Sequence, residues 1–186
     1  MSGRRQEILD AAFVIADEQG LDAVSMRAIA DRVGVTPMAL YRHYGSKSAL
    51  LDGMVGHLLT ALMPEAVSTG PWNERLGLIA HSYRGFAQQH PWAAQLLFSR
   101  PAITLDGIRL VEFIHQALRE AGIPEHELTR MEHLVTTFVI GFAASEASGR
   151  LGPPDPGHTA EFEADLADLV RLIQNVATQN QDITSP

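Results

Sequence analysis

Residues 25–47 carry a pattern that strongly restricts what this chain can fold into. Two short helical patterns meet there at Gly34, and Ala30 lies four residues before that glycine. A small residue at this spacing lets two helices approach closely, and a glycine lets the chain turn between them. Thr36 and Pro37 are a strong start signal for the second helix, because a hydroxyl caps its first backbone N–H groups and proline fixes φ. Ser25 is expected to cap the first of the two helices in the same way. The sequence therefore predicts a helix-turn-helix.

The outward side chains of the second helix suit a DNA groove and its phosphates. They combine small apolar groups with basic and aromatic ones: Met38, Ala39, Arg42 and His43, with Tyr41, Tyr44 and Lys47 beside them. Of the residues on this helix, Leu40 and Tyr44 are expected to belong to the core. A plain helical hairpin with a mixed surface is the alternative that spacing alone leaves open.

A longer run, SMRAIADRVGVTPMALYRHYGSKSALLDGMV, carries a further set of residues at fixed spacing. The set is Arg27, Ile29-Ala30, Gly34-Val35, Leu40-Tyr41, His43-Tyr44, Lys47 and Leu50-Leu51. With these residues the run resembles the DNA-binding signature of the tetracycline-repressor (TetR) family of bacterial transcription regulators. The resemblance implies a ligand-responsive, DNA-binding regulator, by family default a repressor. It also implies that the fourth helix transmits motion from a ligand pocket to the DNA-binding domain.

The resemblance further implies which side chains contact DNA. Those expected to face bases are Arg27, Pro37, Met38 and Ala39. Those expected to hold phosphates are Thr36, Tyr41, His43 and Lys47, and Arg42 suits either role. Arg27 is the candidate for guanine, because arginine can contact O6 and N7 together. Met38 and Ala39 can make only apolar contacts, for example with thymine methyl groups.

Charge is divided unevenly along the chain. The net charge is −8, yet residues 1–50 carry six basic and six acidic side chains, and the rest carries eight basic and sixteen acidic ones. DNA would repel the acidic part, so binding depends on local arginines in the neutral N-terminal part. Charge therefore permits DNA binding there.

Every segment beyond the helix-turn-helix has helical spacing of apolar residues, and no alternating strand pattern occurs. We expect an all-α protein of about nine helices. Residues 1–46 are expected to form a three-helix helix-turn-helix DNA-binding domain, and residues 47–180 a larger ligand-binding and dimerisation domain. The fourth helix is apolar on more than one side and is expected to serve both. The last helix is expected to end near Gln179, with residues 181–186 as a disordered tail.

The last two long helices are candidates for a homodimer interface. The first carries small residues and the second an apolar face, and small residues let helices approach closely. The small residues are Gly141, Ala143, Ala144, Ser145, Ala147 and Ser148. With a symmetry mate the two helices would form a four-helix bundle. The residues alone leave open an alternative in which both helices only complete this chain's own core. The TetR resemblance favours the dimer. A dimer would place two DNA-binding domains on a palindromic double-stranded operator.

The C-terminal part offers apolar side chains with sparse polar groups, as is typical of a small-molecule pocket. The expected ligand contacts are His57, His81, Tyr83, Phe86, Trp92, Arg109, Glu112, Phe113, His115, Phe138 and Phe142. Any one of them could instead belong to the core.

The second half also carries, in order, Trp72, Tyr83-Arg84, Arg100-Pro101 and Leu118 to Gly122. In these it resembles the ligand-binding domain of tetracycline repressors. Met63, Ile79 and Leu96 replace polar contacts to the drug or its magnesium ion in that group. We therefore expect a largely apolar effector, with no metal and no cofactor.

Two other functions compete with DNA-binding regulation. Glu112 and His115 form a single Glu-x-x-His, half of a di-iron motif, and no second copy or other catalytic motif occurs, so we expect no enzyme activity. The other rival is a helical ligand-binding or protein-interaction module with vestigial DNA binding. The chain has no cysteine. It also has no signal peptide and no apolar run long enough to cross a bilayer, which predicts a cytoplasmic protein without membrane contact.

Overall fold

The computed structural model describes residues 3–63, 70–100 and 104–184, with side chains described as far as residue 180. Within these ranges the chain is all-α, without strands, as predicted. The nine helices are α1 (Gly3–Gln19), α2 (Met26–Val33), α3 (Pro37–Tyr44), α4 (Lys47–Ala61), α5 (Trp72–Gln89), α6 (Trp92–Ser99), α7 (Leu105–Glu120), α8 (Leu128–Ala147) and α9 (Pro156–Thr184). We call α1–α3 the head and α4–α9 the body.

Hydroxyl caps and one glycine define the helix-turn-helix of the head. Ser25 Oγ accepts the Ala28 N–H at 3.1 Å, and Thr36 Oγ1 accepts the Ala39 N–H at 3.3 Å. Gly34 ends α2 with a φ of 73°. A residue with a side chain is strained at such a φ, so the turn between α2 and α3 requires glycine. The predicted caps and turn are confirmed.

Helix α4 connects the head to the body. Near its middle it packs against the head so closely that a methyl group at Gly53 would lie 2.8 Å from Tyr44 Cε1. At its far end Leu59 and Leu62 face a cavity in the body. Its buried residues occupy more than one face, as predicted: Leu50, Leu51, Met54, Val55, Gly56, Leu58 and Leu59.

A second, partly polar contact joins the head to the α5–α6 junction. Asp17 Oδ1 accepts the Trp92 Nε1–H at 2.6 Å and lies 2.7 Å from His90 Nδ1. Phe13, one turn earlier on α1, meets the rings of Trp92 and His57 edge-on, with centroids 5.0 and 5.2 Å away. The head is therefore held against the body by α1 as well as by α4.

A buried ion pair ties three helices of the body together. Arg84 of α5 donates two hydrogen bonds to the Glu146 carboxylate of α8, at 2.9 and 2.7 Å, and a third to Thr159 Oγ1 of α9 at 3.2 Å. The side chains of Arg84 and Glu146 are 8% and 13% exposed. Both charges are thus largely removed from water, and each depends on the other for compensation.

Helix α9 is longer than predicted. It continues to Thr184, so the predicted end near Gln179 is wrong, and residues 181–184 of the predicted tail are helical. The physical reason is that no glycine or proline follows Gly157 until Pro186, so nothing in the sequence stops the helix. Residues 185–186 lie outside the described residues. The domain boundary at residues 46–47 stays a prediction. None of the described helices is long and apolar enough to cross a membrane.

Candidate nucleic-acid interface and ligand cavity

The side chains predicted to contact DNA lie at the surface of the head. Seven are exposed: Arg27, Thr36, Pro37, Met38, Tyr41, Arg42 and Lys47. Ala39 and His43 are half-buried. On the opposite side of α3, Leu40 and Tyr44 are 1% and 4% exposed and belong to the core, as the sequence analysis expected of an amphipathic helix.

Three basic side chains of the first 50 residues are free to meet an external anion. Arg27, Arg42 and Lys47 form no ion pair or hydrogen bond with any residue in the described ranges. The other three are engaged internally: Arg4 with Glu7, Arg32 with Glu18 through two hydrogen bonds, and Arg5 over the ring of Tyr44. A cation without an internal partner keeps its full charge for phosphates or base edges.

The body contains a cavity of about 190 Å³ bounded by α4, α5, α6, α7 and α8. Its apolar lining comes from Leu59, Leu62, Leu76, Ile79, Ala80, Leu97, Leu110, Val111, Ile114, Val135, Val139 and Ile140, with Gly107. Its polar lining comes from Tyr83, Arg100, Glu132 and Thr136. A mostly apolar wall with a few polar groups is the usual composition of a small-molecule site.

Among the described residues that line this cavity, Tyr83 is the one that the sequence analysis had predicted. The predicted aromatic residues pack elsewhere. Phe86 and Trp92 meet Phe13, with centroids 6.4 and 5.0 Å away. Phe138 and Phe142 surround Phe162, with centroids 5.7 and 5.1 Å away. Phe113 lies under the guanidinium of Arg75 at 5.5 Å.

The predicted polar contacts also lie apart from the cavity lining. His81 faces Glu163 at 3.6 Å, Arg109 faces Asp106 at 3.4 Å, and Glu112 pairs with Arg119 at 2.8 Å. His57 packs on Phe13, and His115 has a buried Nε2 without a described partner. No group of three or more potential metal ligands occurs in the described parts of the chain.

Three polar lining residues were not predicted from the sequence: Arg100, Glu132 and Thr136. Glu132 carried a readable signal, because it lies on α8 in the helical stripe of Leu128, Val135 and Val139, which are all buried. An acidic residue inside an apolar stripe is uncommon, since a buried carboxylate requires compensation.

The polar groups of the cavity differ in how close their hydrogen-bond and ion-pair partners are. Glu132 is 7% exposed, and its nearest partners are Thr136 Oγ1 at 3.4 Å and His133 Nε2 at 3.5 Å. Arg100 donates to Asp52 Oδ1 at 2.5 Å and to Ser48 Oγ at 3.0 Å. The Tyr83 hydroxyl is buried without a described partner. Burial raises the pKa of the Tyr83 phenol, so the hydroxyl stays protonated and can donate.

A shallow apolar groove runs between α8 and α9 on the outside of the body. It is lined by Leu134, Phe138, Asp165, Asp168, Leu169 and Leu172. Leu134 and Leu172 are 37% and 43% exposed. Large apolar side chains exposed on two neighbouring helices are typical of a surface that another protein surface covers.

Comparison with known proteins matches both parts of the chain. Residues 8–54 match the family model of bacterial regulatory proteins, tetR family. Residues 63–182 match the model of the tetracyclin repressor-like C-terminal domain.

The relatives include regulators from several bacteria. The HTH-type transcriptional repressor DrrR1 of Streptomyces coeruleorubidus is 31% identical over 161 residues, which are 83% of this chain and 58% of that protein. This chain thus spans less than two thirds of that relative's length. The crystal structure of Mycobacterium smegmatis BioQ has a TM-score of 0.79 at 26% identity, covering 92% of this chain and 98% of BioQ. Apo ActR from Streptomyces coelicolor has a TM-score of 0.82 at 23% identity, covering 95% of this chain and 97% of ActR.

Proposed function

Since this chain belongs to the TetR family of bacterial regulatory proteins, we propose that it is a DNA-binding transcriptional repressor. A small, largely apolar effector releases it from a palindromic operator. The observation that carries the proposal is the set of three exposed cations without internal partners, Arg27, Arg42 and Lys47, on a well-capped helix-turn-helix. A structure of BioQ with its double-stranded DNA operator supports the same role for this fold.

In the proposed complex α3 enters the major groove, as second helices of helix-turn-helix motifs do. Arg27 reads a guanine, and Met38 and Ala39 make apolar contacts at the start of α3, beside Pro37. Phosphates are held by Thr36, Tyr41, His43 and Lys47, and Arg42 contacts a base or a phosphate. The phosphate contacts fix orientation, and the base contacts select sequence.

The operator is proposed to be palindromic because the functional unit is a homodimer. Helices α8 and α9 would pair with their symmetry mates through the groove that contains Leu134 and Leu172. Two heads then meet half-sites on the order of 34–36 Å apart, one turn of DNA.

The effector site is the cavity in the body, and α4 is the element that couples it to the head. Leu59 of α4 and Leu62, the residue directly after this helix, face the cavity. Gly53, about two turns earlier, is in close contact with Tyr44 of α3. A ligand that prefers a different position of α4 would therefore move the head. It shifts the operator equilibrium only by its difference in affinity for the two states.

The proposal is tested by selecting duplexes from random DNA with the purified protein and titrating the recovered site at two salt concentrations. We expect a palindrome and an affinity that falls steeply with salt. Arg27→Ala should cost about 1–3 kcal/mol and relax specificity at one base pair. The matched control is Arg32→Ala on the same helix, because Arg32 is already paired with Glu18 and should change affinity little.

Weak binding without sequence preference, equal in Arg27→Ala and the native protein, would contradict the proposal. It would favour a helical interaction module with vestigial DNA binding. Operator binding requires a cytoplasmic location, and no catalytic step is part of the proposal.

A further inference from the structure

We infer that the cavity of the body binds small lipophilic amines, with the protonated nitrogen of the ligand paired to Glu132. The inference rests on the proposed function for its site, and it adds the chemical class of the ligand.

The first ground is the poor compensation of Glu132. The side chain is buried on α8 and lines the cavity. Its two contacts are long, 3.4 Å to the Thr136 hydroxyl and 3.5 Å to His133, whose own side chain is 72% exposed. No arginine or lysine in the described ranges lies within ion-pair distance of it. A buried carboxylate without a close cation is costly, and a cationic ligand would relieve that cost.

The second ground is the charge of the cavity wall as a whole. Arg100 is the other charged residue of the lining, and its guanidinium is already paired with Asp52 at 2.5 Å. By formal charge, Glu132 is therefore the acidic group of the wall that lacks an arginine or lysine partner among the described residues. A ligand carboxylate would add a like charge in a low-dielectric site, whereas an ammonium group would neutralise it.

The third ground is the Tyr83 hydroxyl, which is buried in the same lining without a described partner. Its oxygen can accept a hydrogen bond, and a primary or secondary ammonium has more than one N–H to give. One N–H can thus bind the Glu132 carboxylate and another can satisfy Tyr83. Neither a ligand carboxylate nor a ligand ether has hydrogen-bond donors for the Glu132 carboxylate and the Tyr83 hydroxyl.

The cavity limits the size of the apolar part. Its volume of about 190 Å³ lies below the range of roughly 300–1,000 Å³ that is usual for drug-sized ligands. The remaining wall is aliphatic, from residues such as Ile79, Val135 and Val139. A single ring with a short alkylamine chain fits both limits.

The test uses three probes with the same apolar part: phenylbutylamine, phenylbutanol and phenylbutyrate. Calorimetric titration of the full-length protein at neutral pH should give the tightest binding for the amine, by about tenfold or more over the alcohol, and the weakest for the carboxylate. Glu132→Gln keeps the shape of the side chain and removes its charge. It should lower the affinity for the amine by about tenfold or more and leave the affinity for the alcohol nearly unchanged.

Ile114→Val is the matched control, because Ile114 also lines the cavity, carries no charge and is not a hydrogen-bond or ion-pair partner of Glu132. It should preserve the preference for the amine over the alcohol. Retained binding of the alcohol by Glu132→Gln shows that the cavity of the variant is intact. A carboxylate that binds best, an amine preference unchanged in Glu132→Gln, or no binding of any probe to the native protein would each overturn the inference.

The failure of this inference differs from the failure of the proposed function. Operator selection and the effect of Arg27→Ala need no ligand, so they stand or fall without the probes. Conversely, an amine that binds through Glu132 but leaves operator affinity unchanged supports the ligand class and contradicts the effector role.

Discussion

At the scale of single residues, Gly53 of α4 marks a close approach between body and head. A methyl group there would lie 2.8 Å from Tyr44 Cε1 and 3.5 Å from Leu9 Cδ2. Tyr44 is 4% exposed, and its hydroxyl donates to the Arg5 carbonyl oxygen at 3.3 Å, so the ring has little room to move. Glycine in the middle of a helix is otherwise unfavourable, and the close approach explains its presence.

Gly53→Ala should therefore destabilise the protein although alanine is the better helix former. Overpacking costs about 1–3 kcal/mol, and the gain in helix propensity is about 1 kcal/mol. We expect a net loss of about 1 kcal/mol in urea unfolding at fixed protein concentration. Gly77→Ala on α5 is the control, because no atom lies within 4 Å of the added methyl group. Its free energy of unfolding should rise by about 0.5–1 kcal/mol. An equal rise in both variants would show that the Tyr44 ring moves to accommodate the methyl group.

Individual residues also mark how far the sequence could lead. The caps Ser25 and Thr36 and the turn at Gly34 were predictable, because each acts on backbone groups only a few residues away. The cavity lining was not, because helical spacing tells which side chains point inward but not which of them meet a void. Phe86 was predicted as a ligand contact on that basis, and the structure packs it against Phe13 of the distant helix α1.

At the scale of helices, the Arg84–Glu146 pair joins α5 and α8. The hydrogen bonds from the Arg84 guanidinium hold the pKa of Glu146 below its usual range, against the opposing effect of burial. A hydrogen bond from Gln88 adds to the lowering. Because the folded-state pKa is the lower one, the unfolded state binds more protons in acid, and stability rises with pH. The contribution is complete above the unfolded pKa of about 4.3 and is lost as pH falls through the folded value.

Glu146→Gln should therefore reduce the fall in the free energy of unfolding at acidic pH. At neutral pH we expect a loss of about 1–3 kcal/mol, because the amide oxygen still accepts from Arg84 but the charge is gone. Below pH about 4 the difference from the native protein should shrink, since the carboxyl group of the unfolded chain is protonated first and native Glu146 follows as pH falls through its lowered pKa. The measurement is urea unfolding across this range. Glu161→Gln, at an exposed position of α9, is the control and should run parallel to the native curve. A parallel curve for Glu146→Gln would contradict the assignment.

Helix boundaries were predictable where proline or glycine marks them. Helix α5 begins directly after Pro71, and α6 ends at Ser99, directly before Arg100-Pro101. The end of α9 carries no such residue, and there the prediction failed. Residues close together in the sequence therefore predict where the helices lie. Which helices pack against each other depends on contacts between residues far apart in the sequence, and a short stretch of sequence does not contain that information.

At the scale of the whole molecule, the net negative charge and the exposed apolar groove both belong to the part of the chain that follows the head. The first 50 residues are neutral and the remainder holds the full net charge of −8. On that acidic body, Leu134 and Leu172 leave an apolar groove between α8 and α9. A homodimer through this groove would cover its apolar residues and join two heads into one bivalent unit.

Replacing both exposed leucines of the groove, Leu134→Glu with Leu172→Glu, should therefore yield a monomer. The variant should keep its helical content, because both side chains are partly exposed already. Operator affinity should fall by about 10²–10⁴-fold, since each head then binds its half-site alone. Light scattering gives the mass and titration of the selected operator gives the affinity. Leu78→Glu on α5, 43% exposed, is the control and should leave both unchanged. A double variant that stays dimeric would place the interface on another surface, and the half-site spacing would then have to be derived from that surface instead.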